Sequence, residues 1–514
     1  MAPVEEEAAP TKPTLRLYLL SSVAGTIEPC GCTKDQLGGV DHFAALLKSE
    51  ATMAPSSLVL GAGPMLFAEP VLSSDERVQQ SWKADTLALV AKQLGLVAWA
   101  PGSNDWAMGP EELGKFVTAS GATLLAGNLE GVAGASGVVV REVNGLRVGI
   151  VGVADPKDRA GQTPTGLTVK SASDAMRAGL EEAKKQGAHV LVALAAVGRG
   201  EALRLVDTFP ELAVLVVGKP VEAGHNNDTP KPPIRVGSTL VVEASNHLQS
   251  VAVVDLFVRG KPALGNLVFA DASGVERAEE LVVLAGRIRE LETRILSWEQ
   301  GGSVKAEDLA ARKVDLEKLR ADRIKLEEPL PAPAGNFLHY RLVEVREKLG
   351  SEPDAKAKLV DYYKRVNEHN RRAFADRKPE PAAAGQASFI GVEACTVCHD
   401  EARKVWDGTQ HSHAYATLEE DFKEFNLDCV SCHVTGYGKA GGSTVTFVDK
   451  LKDVQCEECH GPGSLHAKKP SKKDLIILKP DPQSCVSKCH HPPHVENFDP
   501  VVKMDLVLGP GHGK

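Results

Sequence analysis

Four short segments near the C-terminal end of the chain share one arrangement of cysteine and histidine: Cys395-Thr-Val-Cys398-His399, Cys429-Val-Ser-Cys432-His433, Cys456-Glu-Glu-Cys459-His460 and Cys485-Val-Ser-Lys-Cys489-His490. The first three follow C-x-x-C-H, and the fourth carries one extra residue. Two thiols this close can form thioethers to the two vinyl groups of one porphyrin, and the adjacent imidazole is then placed to bind its iron axially; this is the c-type haem attachment pattern. Paired C-x-x-C segments also hold tetrahedral zinc, and cysteine-rich chains also form disulfide frameworks. Neither gives a reason for histidine directly after all four pairs, when only 16 of 514 residues are histidine. The spacing predicts four c-type haems, or three if the longer fourth segment attaches none.

Each six-coordinate iron needs a second axial ligand besides His399, His433, His460 or His490. The other histidines of the same region are His411, His413, His466, His491, His494 and His512. Six candidates for four positions suffice, with surface histidine the ordinary alternative for each. Eight of the ten cysteines and ten of the sixteen histidines lie in 395–514, which marks a separate domain. Aromatic residues are only 5% of the chain. Porphyrins anchored between Cys395 and His490 must then be close neighbours that supply much of this domain's core.

Three segments of this region carry a resemblance: Trp406-x-x-Thr409-x-His411-x-His413-Ala414, Cys432-His433-x-Thr435-Gly436-Tyr437, and Val454-x-Cys456-Glu457-x-Cys459-His460-Gly461-Pro462-Gly463-x-x-His466. Over about 395–495 the chain resembles the multihaem cytochrome c-554/c-prime family. The resemblance implies distal ligand roles for His411 and His466, with His413 a near rival of His411. That family holds electron carriers and also relatives in which an open iron reduces small nitrogen compounds, so it leaves carrier and enzyme both open.

Ahead of this region, short apolar runs at 15–20, 57–60, 123–126, 147–153, 189–194, 214–217, 239–243 and 251–258 alternate with helical periodicity, as near 39–50 and 81–94. Strands separated by helices predict an α/β layered domain. Over about 15–260 it resembles the calcineurin-like metallophosphoesterase domain of 5′-nucleotidases, carried by "EPCGCTKDQLGGV", "AGNLEG" and "VLVVGKPVEAG". That family clamps a phosphoryl oxygen with two metals and generates hydroxide from bound water. Here the ligand positions of the resemblance fall on Ser22 and Ala24, Pro64, Ser103 with Asn104 and Asp105, Ala196, and Lys219 with Val221. Asp105 alone keeps a ligand type, so a dinuclear site and phosphoester hydrolysis are not expected. His225 reads as an ordinary loop residue.

On the loop after the first strand stand Cys30 and Cys32, one residue apart. A pair this close makes a strained, redox-labile disulfide, a soft-metal site, or two structural thiols.

The remaining organisation follows from rhythm. Leu281, Leu284, Ile288, Leu291, Ile295 and Trp298 form a heptad seam, and Leu309, Leu316, Leu319 and Leu326 a second one beyond Gly301-Gly302-Ser303. Together they predict a coiled-coil-like helical hairpin, or two ordinary core helices. The expected architecture is multidomain: a flexible spacer at 1–14, the metallophosphoesterase-like α/β domain at 15–274, the hairpin at 275–328, a strand-helix connector at 329–375, a Pro/Ala-rich linker at 376–388, and a mainly α and irregular tetrahaem cytochrome domain at 389–514.

A net charge of −9, from 59 basic and 68 acidic residues, disfavours nucleic acid. No apolar run is long enough to span a membrane. The acidic, Pro/Ala-rich first residues resemble the spacer behind the acylated cysteine of bacterial lipoproteins, implying a lipid anchor upstream. Covalent haem implies the periplasm or outer cell surface of a bacterium. The expected function is electron transfer with redox protein partners, the front domain serving for docking or binding. The alternative is an oxidoreductase acting on a small nitrogen or sulfur species at an open haem or at the Cys30/Cys32 loop. No catalytic residue is assigned.

Overall fold

The computed structural model describes residues 10–29, 36–222, 226–260, 262, 265–301, 304–328, 330, 332–491, 495 and 498–512. The chain forms two compact units, one of 1–289 with 317–358, the other of 290–316 with 359–514.

The first unit is built on two mixed sheets. In the larger, the strands run in the order Ala270–Asp271, Phe337–Glu344, Ser250–Phe257, Leu15–Ser21, Ser57–Ala62, Leu96–Ala100, Thr123–Leu125, Ala135–Ser136. From Leu15–Ser21 onward the pairing is parallel, whereas Ser250–Phe257 runs antiparallel to both of its neighbours. The second sheet has the order Lys231–Val236, Thr239–Glu243, Val214–Gly218, Val190–Ala196, Leu146–Ala154, Val138–Val143, with a parallel centre and antiparallel edges.

Helices Val40–Glu50, Arg77–Gln93, Pro110–Ser120, Ala172–Lys185 and Arg199–Thr208 supply the crossovers that parallel strands require. Strand Val190–Ala196 (VLVALAA) is buried at every position, as expected for a central parallel strand covered on both faces. The two sheets meet closely at their strand ends: Ser21 Oγ donates to Val217 O over 2.8 Å, and a Cβ on Gly218 would collide with the backbone of Ala62 and Gly63. Only glycine permits that approach.

Strand Phe337–Glu344 lies in the segment that reads from sequence as a connector, yet it pairs along its whole length with Ser250–Phe257. An ion pair is buried in this sheet. Arg16, in register with Asp255, donates to both of its carboxylate oxygens (2.5 and 2.7 Å) and to Glu50 (2.7 Å), which also accepts from the Tyr18 hydroxyl at 2.8 Å.

Helices Ala278–Gly301 and Ala306–Glu327 follow, and of the seam residues Leu284, Ile288, Ile295 and Leu316 are buried, while Val283, Val314 and Ile324, off the seam, are exposed. Lys313 on the second helix pairs with Glu299 on the first at 2.7 Å. Helix Pro353–Ala373 leads into the second unit, whose remaining elements are short: helices Val392–Thr396, Asp400–Asp407, Ala414–Glu420, Cys456–His460, Ser464–Lys468, Gln483–Lys488 and Pro500–Met504, with 3-10 turns at Gln410–His413 and Val430–Cys432. An apolar cluster here is small, Tyr415, Val430, Val434 and Val448 with Tyr437. Among the described residues no helix is long and apolar enough to cross a membrane.

Candidate haem-attachment site

The first cysteine pair sits on the end of Val392–Thr396, where the backbone N–H groups of Cys398 and His399 both return to Cys395 O, at 3.1 and 3.0 Å. In the second motif Cys432 N donates to Cys429 O (3.3 Å) and His433 N to Val430 O (3.1 Å). The third motif is a helical turn of its own, Cys456–His460. In the fourth, Cys489 N and His490 N both return to Cys485 O, at 3.1 and 2.9 Å. The histidine there closes an i→i+5 ring, one residue wider than the i→i+4 ring of His399, so the extra residue is taken up as a π-type turn.

The third motif ties the others together. Glu457 is buried, and its carboxylate accepts from the backbone N–H groups of Ile390 (3.0 Å), Gly391 (2.7 Å) and Gly463 (2.7 Å). Gln455 Oε1 accepts from Val392 N at 2.7 Å, next to the first motif. Glu458 faces elsewhere: it accepts from Gly436 N (2.8 Å) behind the second motif and from Lys488 Nζ (2.8 Å) inside the fourth. Just upstream, Asp453 N donates to His433 O at 3.1 Å and Val454 N to His411 O at 3.0 Å.

The sulfurs, which stand where thioether sulfurs would be, meet across motifs. Hydrogen bonding between the thiols raises Cys395 and lowers Cys456; likewise contact with Cys432 raises Cys489 while Cys432 is lowered. Burial, with Cys485 beside it, pushes Cys459 up to about 11. The first motif thus neighbours the third, the third the fourth, and the fourth the second.

The histidines fall into distinct settings. His399 and His466 have ring centroids 6.4 Å apart, and His411 and His490 are 6.1 Å apart. Two imidazoles on opposite sides of one metal, with bonds of about 2.0–2.1 Å, place their centroids roughly 6 Å apart, a separation that both pairs match. The Nδ1 of His466 is buried with no hydrogen-bond partner, leaving a ring nitrogen for a metal. Burial, with His490 as a second cause, lowers His411 to about 4, which keeps the imidazole neutral as a ligand must be. His433 Nδ1 lies 2.5 Å from Ala414 O and His460 Nδ1 2.6 Å from Ile477 O. Such bonds hold the proton on Nδ1 and leave Nε2 as the metal-binding atom.

His413 is exposed at the start of Ala414–Glu420. His491 is half-buried, and its charge is felt at the Cys432 thiol. Partial burial and the imidazoles of His460 and His399 lower His512. His494, Cys30, Cys32 and His225 lie outside the described residues.

In the first unit, the polar residues at the strand ends bind one another. Asn104 and Asp105 are buried; Asp105 accepts from the N–H groups of Met65, Leu66 and Gly102 (2.9, 2.7 and 2.9 Å), and Asn104 spans Phe67 O and Glu222 N. Ser22 Oγ accepts from Lys219 N at 3.1 Å, and the Lys219 ammonium pairs with Glu222 and Asp228 beside a cavity of about 160 Å³. Among the described residues no three His, Cys, Asp or Glu side chains are grouped to hold a metal ion. The Lys219–Glu222 pair and the strained backbone at Ser22 and Ala24 (φ 48° and 50°) carry no sequence signal that could have marked them beforehand.

The family model described as cytochrome c554 and c-prime matches residues 394–461. Cytochrome c-554 of Nitrosomonas europaea is 34% identical over 96 residues, 16% of this chain and 41% of that protein, so the match spans less than half of the relative's length. The chain is also similar to a 5′-nucleotidase precursor of Thermus thermophilus, with a TM-score of 0.44 and 15% identity over 73% of this chain and 61% of that one. The sulfate thiohydrolase SoxB of Thermus thermophilus gives a TM-score of 0.45 and 14% identity, over 70% and 62%. The C-terminal part of the chain is similar to the cytochrome c554 and c-prime family, behind a region of mixed α/β sheets.

Proposed function

We propose that the chain is an extracytoplasmic tetrahaem c-type cytochrome that passes electrons between redox proteins, and that its first unit is a phosphatase-like scaffold without phosphatase chemistry. The reading is carried by the two cross-motif histidine pairs, His399 with His466 and His411 with His490, each at the separation of ligands to one metal. Cys395, Cys398, Cys429, Cys432, Cys456, Cys459, Cys485 and Cys489 attach four haems; His399, His433, His460 and His490 are the proximal ligands. His466 together with His399, and His411 together with His490, would each hold one iron. His512, beside His460, is the distal candidate there, and His491 is a candidate for the second motif.

Haem iron, when bound, supplies reversible one-electron exchange. What the chain supplies is spacing and order. Contacts of the first motif with the third, the third with the fourth and the fourth with the second support a route that follows packing and not chain order. The Nδ1 bonds of His433 and His460 fix ring orientation, and burial keeps His411 deprotonated.

The scaffold reading of the first unit rests on residue types. Where the resemblance calls for metal-binding carboxylates and imidazoles stand Ser22, Ala24, Pro64 and Ala196, and Asp105 is committed to three backbone donors. Intact-protein mass spectrometry after expression with haem-maturation machinery tests the central reading. A mass increased by four haems supports it; an unmodified chain that retains zinc contradicts it.

A further inference from the structure

We propose that Lys488, the residue by which the fourth motif exceeds the other three, is a positioning residue that bolts the fourth attachment segment to the third through Glu458 and sets the potentials of those two haems. The proposal rests on the four-haem reading above.

The insertion does not disturb the cysteine and histidine that flank it. His490 N returns to Cys485 O in a turn widened by one residue, and His490 still meets His411 at 6.1 Å, close to the 6.4 Å of His399 and His466. The widened turn closes the end of helix Gln483–Lys488, a place where such turns occur. Here it delivers one new side chain. The Lys488 ammonium donates to Glu458 Oε1 and to Glu458 O, both at 2.8 Å, so it grips the third motif by side chain and backbone together.

Glu458 lies between Cys456 and His460 in the third motif and is mostly buried, its side chain 13% exposed against 37% for Lys488. Its other carboxylate oxygen accepts from Gly436 N at 2.8 Å. A carboxylate this sheltered, on the third attachment segment and in contact with the fourth, would favour the oxidised form of irons held there unless a cation balances it. Lys439, at 3.8 Å, is a looser partner. Lys488 is the close one, and the extra residue puts it there.

The test is an equilibrium redox titration of the mature protein with K488A, E458Q, the double variant, K488R, and K479A as an exposed-lysine control, with haems per chain counted by mass for each. K488A is expected to lower two of the four potentials by about 59 mV, a tenfold change in a one-electron equilibrium. E458Q raises the same two, the double variant returns them near their starting values, and K488R leaves them unchanged. Opposite signs that cancel are not produced by a merely structural role. If K488A fails to retain four haems while K488R retains them, the bolt is supported on geometric grounds. Shifts no larger than those of K479A, or shifts of one sign in both single variants, overturn the proposal. Fewer than four haems in the parent protein overturns the functional reading instead.

Discussion

The imidazoles of His411 and His490 stand 6.1 Å apart, although His411 lies on the 3-10 turn Gln410–His413 and His490 ends the one attachment segment of irregular spacing. His413, two residues on, is exposed. In H411A one haem in four is expected to become high-spin and to bind carbon monoxide, while H413A keeps the parent spectrum. Electron paramagnetic resonance of the oxidised protein distinguishes the two. A high-spin signal in H413A and not in H411A would reverse the assignment.

Glu457 satisfies three backbone donors at once, the buried ones of Gly391 and Gly463 and the half-buried one of Ile390. An orphaned buried donor costs about 1–3 kcal/mol, so E457A, which orphans two of them, is expected to destabilise the second unit by at least about 2 kcal/mol. Denaturant unfolding followed at the haem absorption band measures it. A loss below about 1 kcal/mol, the net worth of a single ordinary hydrogen bond, would show that these contacts do not hold the first motif to the third.

Asp105 gives the first unit a pH dependence. Burial pushes its carboxyl up to about 7, against the three backbone donors that favour the charged form. With its pKa raised in the folded state, the folded chain keeps a proton that the unfolded chain has released above about 4. This contribution is present at low pH and is lost as pH rises through about 7. Unfolding midpoints of the parent and D105N between pH 5 and 8 check this: the parent is expected to lose stability relative to D105N as pH rises. Parallel curves would show that Asp105 does not titrate in that window.

The strand ends of the first unit offer hydroxyls, amides and a lysine already paired with Glu222 and Asp228. No metal-stimulated release of phosphate from nucleotide monophosphates is expected with magnesium, manganese or zinc. Hydrolysis that rises with added metal and falls in D105A would restore the catalytic reading of this domain.

How much of this was legible beforehand divides by range. The candidate attachment residues could be picked out because two thiols and an imidazole for one porphyrin must be sequence neighbours. The proposed pairing of His466 with His399 and of His411 with His490 could not, since those rings are brought near one another by tertiary contacts through Glu457, Val454 and Glu458. The parallel strands such as Val190–Ala196 announced themselves as continuous apolar runs. Phe337–Glu344 alternates well enough to be read as a strand, but nothing local says that it completes a sheet with Ser250–Phe257. The wide turn of Cys485 to His490 is of the same kind: the extra residue is visible, whereas the partner of Lys488 is not.

The central claim is four haems on two-histidine irons in one chain, and the oxidised and reduced absorption spectrum with haem quantified per polypeptide tests it most directly. Four covalent haems per chain are expected, with low-spin bands for the irons that His399 with His466 and His411 with His490 would serve. Three haems, with Cys485 and Cys489 recovered as free thiols, or a spectrum dominated by high-spin iron, would contradict it.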